Sequence, residues 1–240
     1  MQWAERADVE ILAVELPGRA KRHREPFAES LREVAEALVP LLRERISDPN
    51  VPYSVVGHSM GCWAGYEFLA LVQNLGLPPP TIFCVACFPP PSIPMGERSW
   101  QPNKDLEKEA FQAECREWDV NPSVFRAGIW EAFEPLLRAD FQLFDTYERL
   151  GELAPLRCPV AGFAARDDRR VSEDSMRKWE SLSSAFEMAA YVEGHHLFIY
   201  DDAAKQRWFD DLVNIITAKA GRPVADSASE GAAGAYGAAS

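Results

Sequence analysis

At 240 residues and 47% hydrophobic content, the chain can bury a sizeable core, and its length requires no second domain. A net charge of −12 argues against nucleic acid as the main partner. No apolar run approaches the roughly eighteen residues of a membrane span, and Met1-Gln-Trp-Ala-Glu-Arg6 lacks the basic-then-apolar order of a secretory signal, so a cytoplasmic protein with no membrane association is expected.

In chain order, Val9 to Leu16 reads as a strand. Arg19-Ala-Lys-Arg-His-Arg24 follows, a basic run in an acidic chain: either a solvated loop, or a landing place in which Arg19, Lys21, Arg22 and Arg24 meet phosphate or an acidic carrier protein. Phe27 to Ile46 has apolar residues at helical spacing (Leu31, Val34, Ala35, Leu38, Leu42), with a bend expected at Pro40. Asp48-Pro-Asn50 turns the chain into the strand Tyr53 to Gly57.

That strand runs directly into Gly57-His-Ser-Met-Gly61 and then into a helical pattern carrying Phe68, Leu69, Leu71, Val72 and Leu75. This is a nucleophile elbow, in which Ser59 is forced outward at the carboxyl end of a parallel strand and the flanking glycines leave room for the bend. After Pro78-Pro-Pro80 comes the strand Thr81 to Phe88. Cys84-x-x-Cys87 lies within it without a second pair and reads as structural, so neither a metal nor a redox cofactor is expected.

The strand–helix alternation then stops for an insertion of about residues 89–156, rich in proline and aromatics, including Trp100, Phe111, Trp118, Phe125, Trp130, Phe133, Phe141 and Phe144. It reads as a helical lid over the elbow, or as a helical subdomain on its own core; an apolar lid suits an apolar acyl chain. Pro159 to Ala165 is a buried strand followed by Asp167 and Asp168, and Phe186 to Val192 is a strand followed by Glu193-Gly-His-His196. Ala203 to Ala218 closes the domain (1–220) as a helix with Trp208, Leu212, Ile215 and Ile216 facing inward. Residues 221–240 form a low-complexity tail expected to be disordered. Alternating strands and helices predict an α/β fold: a mainly parallel sheet with helices on both faces.

A serine hydroxyl needs a base to take its proton, and a carboxylate to orient that base. There are four histidines. His23 sits in the basic loop, and His58, inside the elbow, should point away from the serine. That leaves His195 and His196 as base candidates, with Asp167 and Asp168 as acids at a separate strand end and Glu193, in the histidine loop itself, a weaker competitor.

The combination of Val14-Glu-Leu-Pro-Gly-Arg19, the elbow, Leu137-Arg-Ala-Asp-Phe141 with Tyr147, Asp168-Arg-Arg-Val171 and Gly194-His-His-Leu-Phe198 resembles the type II thioesterases, stand-alone α/β-hydrolases of polyketide, nonribosomal-peptide and fatty-acid synthesis. The resemblance covers about residues 3–218. It implies Ser59 as nucleophile, Asp168 as acid, His196 as base and the Met60 amide as an oxyanion donor, in a monomer without cofactor that cleaves acyl thioesters from the phosphopantetheine arm of an acyl or peptidyl carrier protein. A carboxylester hydrolase or acyltransferase on the same fold, or a catalytically weak carrier-binding protein, are the alternative readings. Where Arg169 stands the family often has proline, and where His195 stands it usually has glycine. The family also carries a strand and a Phe-Pro-x-Ala-Gly-Gly loop ahead of the part that aligns with Trp3. Without them, open edges on Val9–Leu16 and on the elbow strand, half an oxyanion hole and slow turnover are expected.

Overall fold

The computed structural model describes residues 9–148 and 154–220. Its sheet has four parallel strands in sequential order: β1 (Ser54–His58), β2 (Ile82–Ala86), β3 (Val160–Ala165) and β4 (Phe186–Val192). Every residue of β2 and β3 is buried, as for inner strands covered on both faces, whereas β1 and β4 are partly exposed.

Side chains along β2 alternate between two cores. Phe83 and Val85 join the cluster built with α1 (Leu31–Ile46) and α2 (Gly61–Asn74), while Ile82, Cys84 and Ala86 join Phe163, Trp208 and Leu212 beneath α6 (Asp202–Ala220). A Cβ on Gly65 would lie 2.8 Å from the Phe83 ring, so glycine lets α2 lie close on the sheet. Helix α1 starts at Leu31 rather than Phe27, because Ser30 caps it: its Oγ accepts the Glu33 N–H at 3.1 Å, and Glu33 reaches back to the Glu29 N–H at 2.8 Å. The helix runs through Pro40 to Ile46.

The strand expected over Val9 to Leu16 is not formed. Among the described residues β1 pairs only with β2, and a strand-like pattern next to no ladder gains no hydrogen bonds. Ile11, Leu12 and Val14 stay exposed, as does Val56 on β1. The segment is tied down by side chains instead, through Glu10 to Arg45 and Glu15 to the Lys21 N–H.

The insertion supplies α3 (Lys108–Glu117) and α4 (Trp130–Asp145), and the short helix α5 (Glu173–Arg177) follows β3. Trp100, Phe111, Trp118, Trp130, Phe141 and Phe144 belong to the same core as Trp63 and Phe88, so the insertion packs on the main body rather than around a centre of its own. Phe133 is exposed and Phe125 half-buried. All five cysteines are free and buried, and burial pushes the Cys84 thiol up to about 12, which suits packing rather than redox chemistry. The tail 221–240 lies outside the described residues.

Candidate active site

Ser59 leaves β1 with φ +53, a left-handed conformation that turns its hydroxyl out of the strand, and Met60 then caps α2. The Ser59 amide donates to the Ala86 carbonyl at 2.9 Å, which fixes the bend against β2. The two motif glycines are not equivalent. A Cβ on Gly57 would meet the Cys62 N and Cα at 2.7 Å, so that position must be glycine, whereas a Cβ on Gly61 would touch nothing within 4 Å. The Met60 N–H belongs to the opening turn of α2, whose first amides lack intrahelical acceptors and favour negative charge.

The carboxyl ends of β3 and β4 bring two further groups to this elbow. The His196 Nε2 lies 2.7 Å from the Ser59 Oγ, and its Nδ1 lies 2.8 Å from the Asp168 Oδ2. The other Asp168 oxygen accepts the Arg170 and Val171 amides, each at 2.9 Å. With a carboxylate oxygen as its partner, Nδ1 donates the ring proton, which leaves Nε2 to face the Ser59 hydroxyl as an acceptor. Gly194, at φ +104, makes the turn into the histidine loop.

The neighbours are placed elsewhere. Asp167 is exposed, and its amide donates to the Gly194 carbonyl. His195 is exposed, with Nδ1 3.3 Å from the Asp167 carbonyl, and Glu193 pairs with Arg166 at the surface. His23 contacts the Ala20 carbonyl in its own loop. Among the described residues, no group of three or more His, Cys, Asp or Glu side chains is arranged to hold a metal ion, and no helix is long and apolar enough to cross a membrane.

His58 faces away from Ser59 and has a role that sequence reasoning missed. Its Nε2–H donates to the His196 backbone carbonyl at 2.8 Å, while its ring packs edge-on against Phe198 and Trp208. Burial drives its pKa from 6.5 down to about 3, so it stays neutral in the fold. Between those values the unfolded chain binds a proton that the folded chain does not. The stabilisation from neutral His58 is therefore complete above about pH 6.5 and is lost on acidification at about 1.4 kcal/mol per pH unit. His58→Gln, which keeps a donor, should flatten that slope in urea unfolding series between pH 4 and 7; an unchanged slope would mean another group titrates.

The insertion reaches the same place. The Trp118 ring meets His196 edge-to-face at 4.7 Å between centroids, and Asp119 accepts the His196 N–H at 3.1 Å. Neither contact was visible in the sequence, where Trp118 is one aromatic among many.

Of the basic run, Arg19 makes a two-pronged ion pair with Asp140 of α4 at 2.8 and 2.7 Å, which joins the Leu-Pro-Gly-Arg loop to the insertion. Arg22 pairs with Glu25 and donates to the Glu15 carbonyl. Lys21 and Arg24 point their charges to solvent.

A thioesterase-domain family model matches residues 2–219. The chain is 26% identical over 197 residues to the gramicidin S biosynthesis protein GrsT of Aneurinibacillus migulanus, covering 81% of this chain and 74% of that protein. Its fold is similar to RedJ, a thioesterase from the prodiginine pathway of Streptomyces coelicolor, with a TM-score of 0.75 and 25% identity over 88% of this chain and 78% of RedJ. It is also similar in fold to YbtT, a type II thioesterase from a yersiniabactin NRPS/PKS pathway, with a TM-score of 0.73 at 23% identity over 91% and 88% of the two chains. With a family match over nearly the whole domain and a serine on a nucleophile elbow, the chain belongs to the thioesterase domain family.

Proposed function

We propose that this protein is a type II thioesterase that hydrolyses acyl thioesters from the phosphopantetheine arm of carrier proteins, in an editing or release role beside a polyketide or nonribosomal-peptide synthase. The observation that carries the reading is the buried chain of contacts from Ser59 through His196 to Asp168, at 2.7 and 2.8 Å. Ser59 Oγ attacks the thioester carbonyl while His196 Nε2 takes its proton. The negative charge that develops on the carbonyl oxygen falls to the Met60 amide. Collapse breaks the carbon–sulfur bond, and the imidazolium protonates the departing thiolate. A water, deprotonated by the same Nε2, then attacks the acyl-serine, and the proton returned to Ser59 Oγ restores the enzyme. Asp168 holds the imidazole tautomer and stabilises the imidazolium throughout.

On the carrier side, the reading assigns contact to Lys21 and Arg24, the cations of the basic run whose charges face solvent, with Arg19 and Arg22 shaping the loop through their ion pairs. Kinetics on an acyl-carrier protein, the matching acyl-pantetheine and the corresponding oxygen ester test both halves. The thioester should be favoured over the oxygen ester; the opposite preference would make the protein a carboxylester hydrolase. Lys21→Glu with Arg24→Glu should weaken turnover of the acyl-carrier substrate in a salt-sensitive way and leave acyl-pantetheine hydrolysis unchanged. Equal losses on both substrates would place these residues outside any docking surface.

A further inference from the structure

We propose that Asp119, carried by the insertion, is a positioning residue that grips the peptide of His196 and thereby links seating of the insertion to readiness of the base. The first observation is a backbone outlier. Helix α3 ends in a Schellman arrangement, with the Val120 N–H on the Cys115 carbonyl and the Asp119 N–H on the Arg116 carbonyl, both at 3.1 Å. The residue after the cap in this motif takes a left-handed conformation that favours glycine, yet here Asp119 adopts it at φ +58. A side chain kept at a position that prefers none points to work for that side chain.

Both carboxylate oxygens are in use. Asp119 Oδ2 accepts the His196 N–H at 3.1 Å, and Oδ1 accepts from the Arg169 Nη2 at 2.5 Å. Arg169 is the residue next to Asp168 and also donates to the Arg116 carbonyl at the end of α3. A single carboxylate therefore ties the loop bearing the acid and the loop bearing the base to one point on the insertion. The grip is two-sided, because the carbonyl of His196 is held from the elbow by His58. Trp118, the residue before Asp119, sets its ring on the same imidazole. If the end of α3 moves, the His196 peptide and the Arg169 side chain each lose a restraint, while Asp168 keeps its own bonds to the Arg170 and Val171 amides and Ser59 its hold on β2, so the 2.7 Å contact from Nε2 to Oγ is the distance exposed to that slack.

The inference rests on the Ser59–His196–Asp168 reading, and the two fail differently. Asp119→Gly removes the carboxylate while suiting the left-handed backbone, so kcat on acyl-pantetheine should fall by about 10- to 100-fold with KM nearly unchanged and the melting temperature held or raised. A purely structural role would lower the melting temperature and leave kcat per active site untouched. Asp119→Asn tolerates the same backbone and retains an acceptor oxygen, so it should recover most of the loss. Wild-type kcat in Asp119→Gly, or Asp119→Asn as slow as Asp119→Gly, would overturn the proposal. Should Asp119→Gly not fold, Arg169→Met decides: Arg169 is at the surface, and its loss should lower kcat severalfold at an unchanged melting temperature, whereas unchanged kcat would overturn the proposal. Hydrolysis surviving in Ser59→Ala would sink the triad reading; an inert Ser59→Ala beside a fully active Asp119→Gly would sink this grip alone.

Discussion

Ser59→Ala should reduce thioester turnover by a factor on the order of 10⁴ to 10⁶, the largest effect expected of any single substitution in this chain. Alanine preserves the elbow, whose shape comes from Gly57 and from the Ser59 amide on the Ala86 carbonyl, so the loss reports chemistry rather than folding. Without Oγ, no acyl-enzyme can form. His196→Ala should cost nearly as much, and the double variant no more than either single one, because the nucleophile and its base act as a unit. A fluorophosphonate probe gives the same information without substrate: it should label Ser59 in the wild type and fail in both variants, since only an activated hydroxyl reacts at an appreciable rate. Labelling that survives in His196→Ala would remove His196 as the base and bring forward His195, despite its exposure and its 3.3 Å contact to the Asp167 carbonyl.

Asp168→Asn should lower turnover by about 10⁴, with Asp167→Asn close to wild type. The surroundings of Asp168 explain why an isosteric change is so damaging. The Arg170 and Val171 amides both donate to one oxygen and will hold the asparagine carbonyl there, which turns the amide NH2 toward the imidazole. The Nδ1 must then accept, the ring proton moves to Nε2, and Nε2 can no longer take the proton of Ser59. Asp167 has no such place, because only its backbone enters the network, through the Gly194 carbonyl. Acyl-pantetheine kinetics on the two variants, with circular dichroism to show retained fold, checks the ranking. The reverse order would move the acid to Asp167.

Much of this arrangement is local and therefore written in short windows of sequence. An apolar run ending in Gly57-His-Ser-Met-Gly61 dictates a strand, a strained bend and a helix, because Gly57 is where a side chain would strike Cys62. The buried runs of β2 and β3 follow in the same way from residues that gain only when both faces of a sheet are covered. Pairing is different. Val9 to Leu16 has the composition of a strand, yet a strand exists only where it lies along a neighbour's edge, and no described strand pairs with this segment, although β1 leaves one edge open. Two adjacent aspartates and two adjacent histidines could not be separated by their own windows, since each depends on how the ends of β3 and β4 face the elbow; it is the fold that brings Asp168 to His196 and His196 to Ser59. Arg19 looked like a free cation until Asp140 came to it from 121 residues away. Asp119 carried no signal at all, because neither the end of α3 nor the amide it would meet, 77 positions further on, is fixed by its neighbours in the chain. Local sterics and burial set the elements and the elbow that presents Ser59, whereas the partners of charged and hydrogen-bonding groups are set by where distant loops arrive once the core has closed.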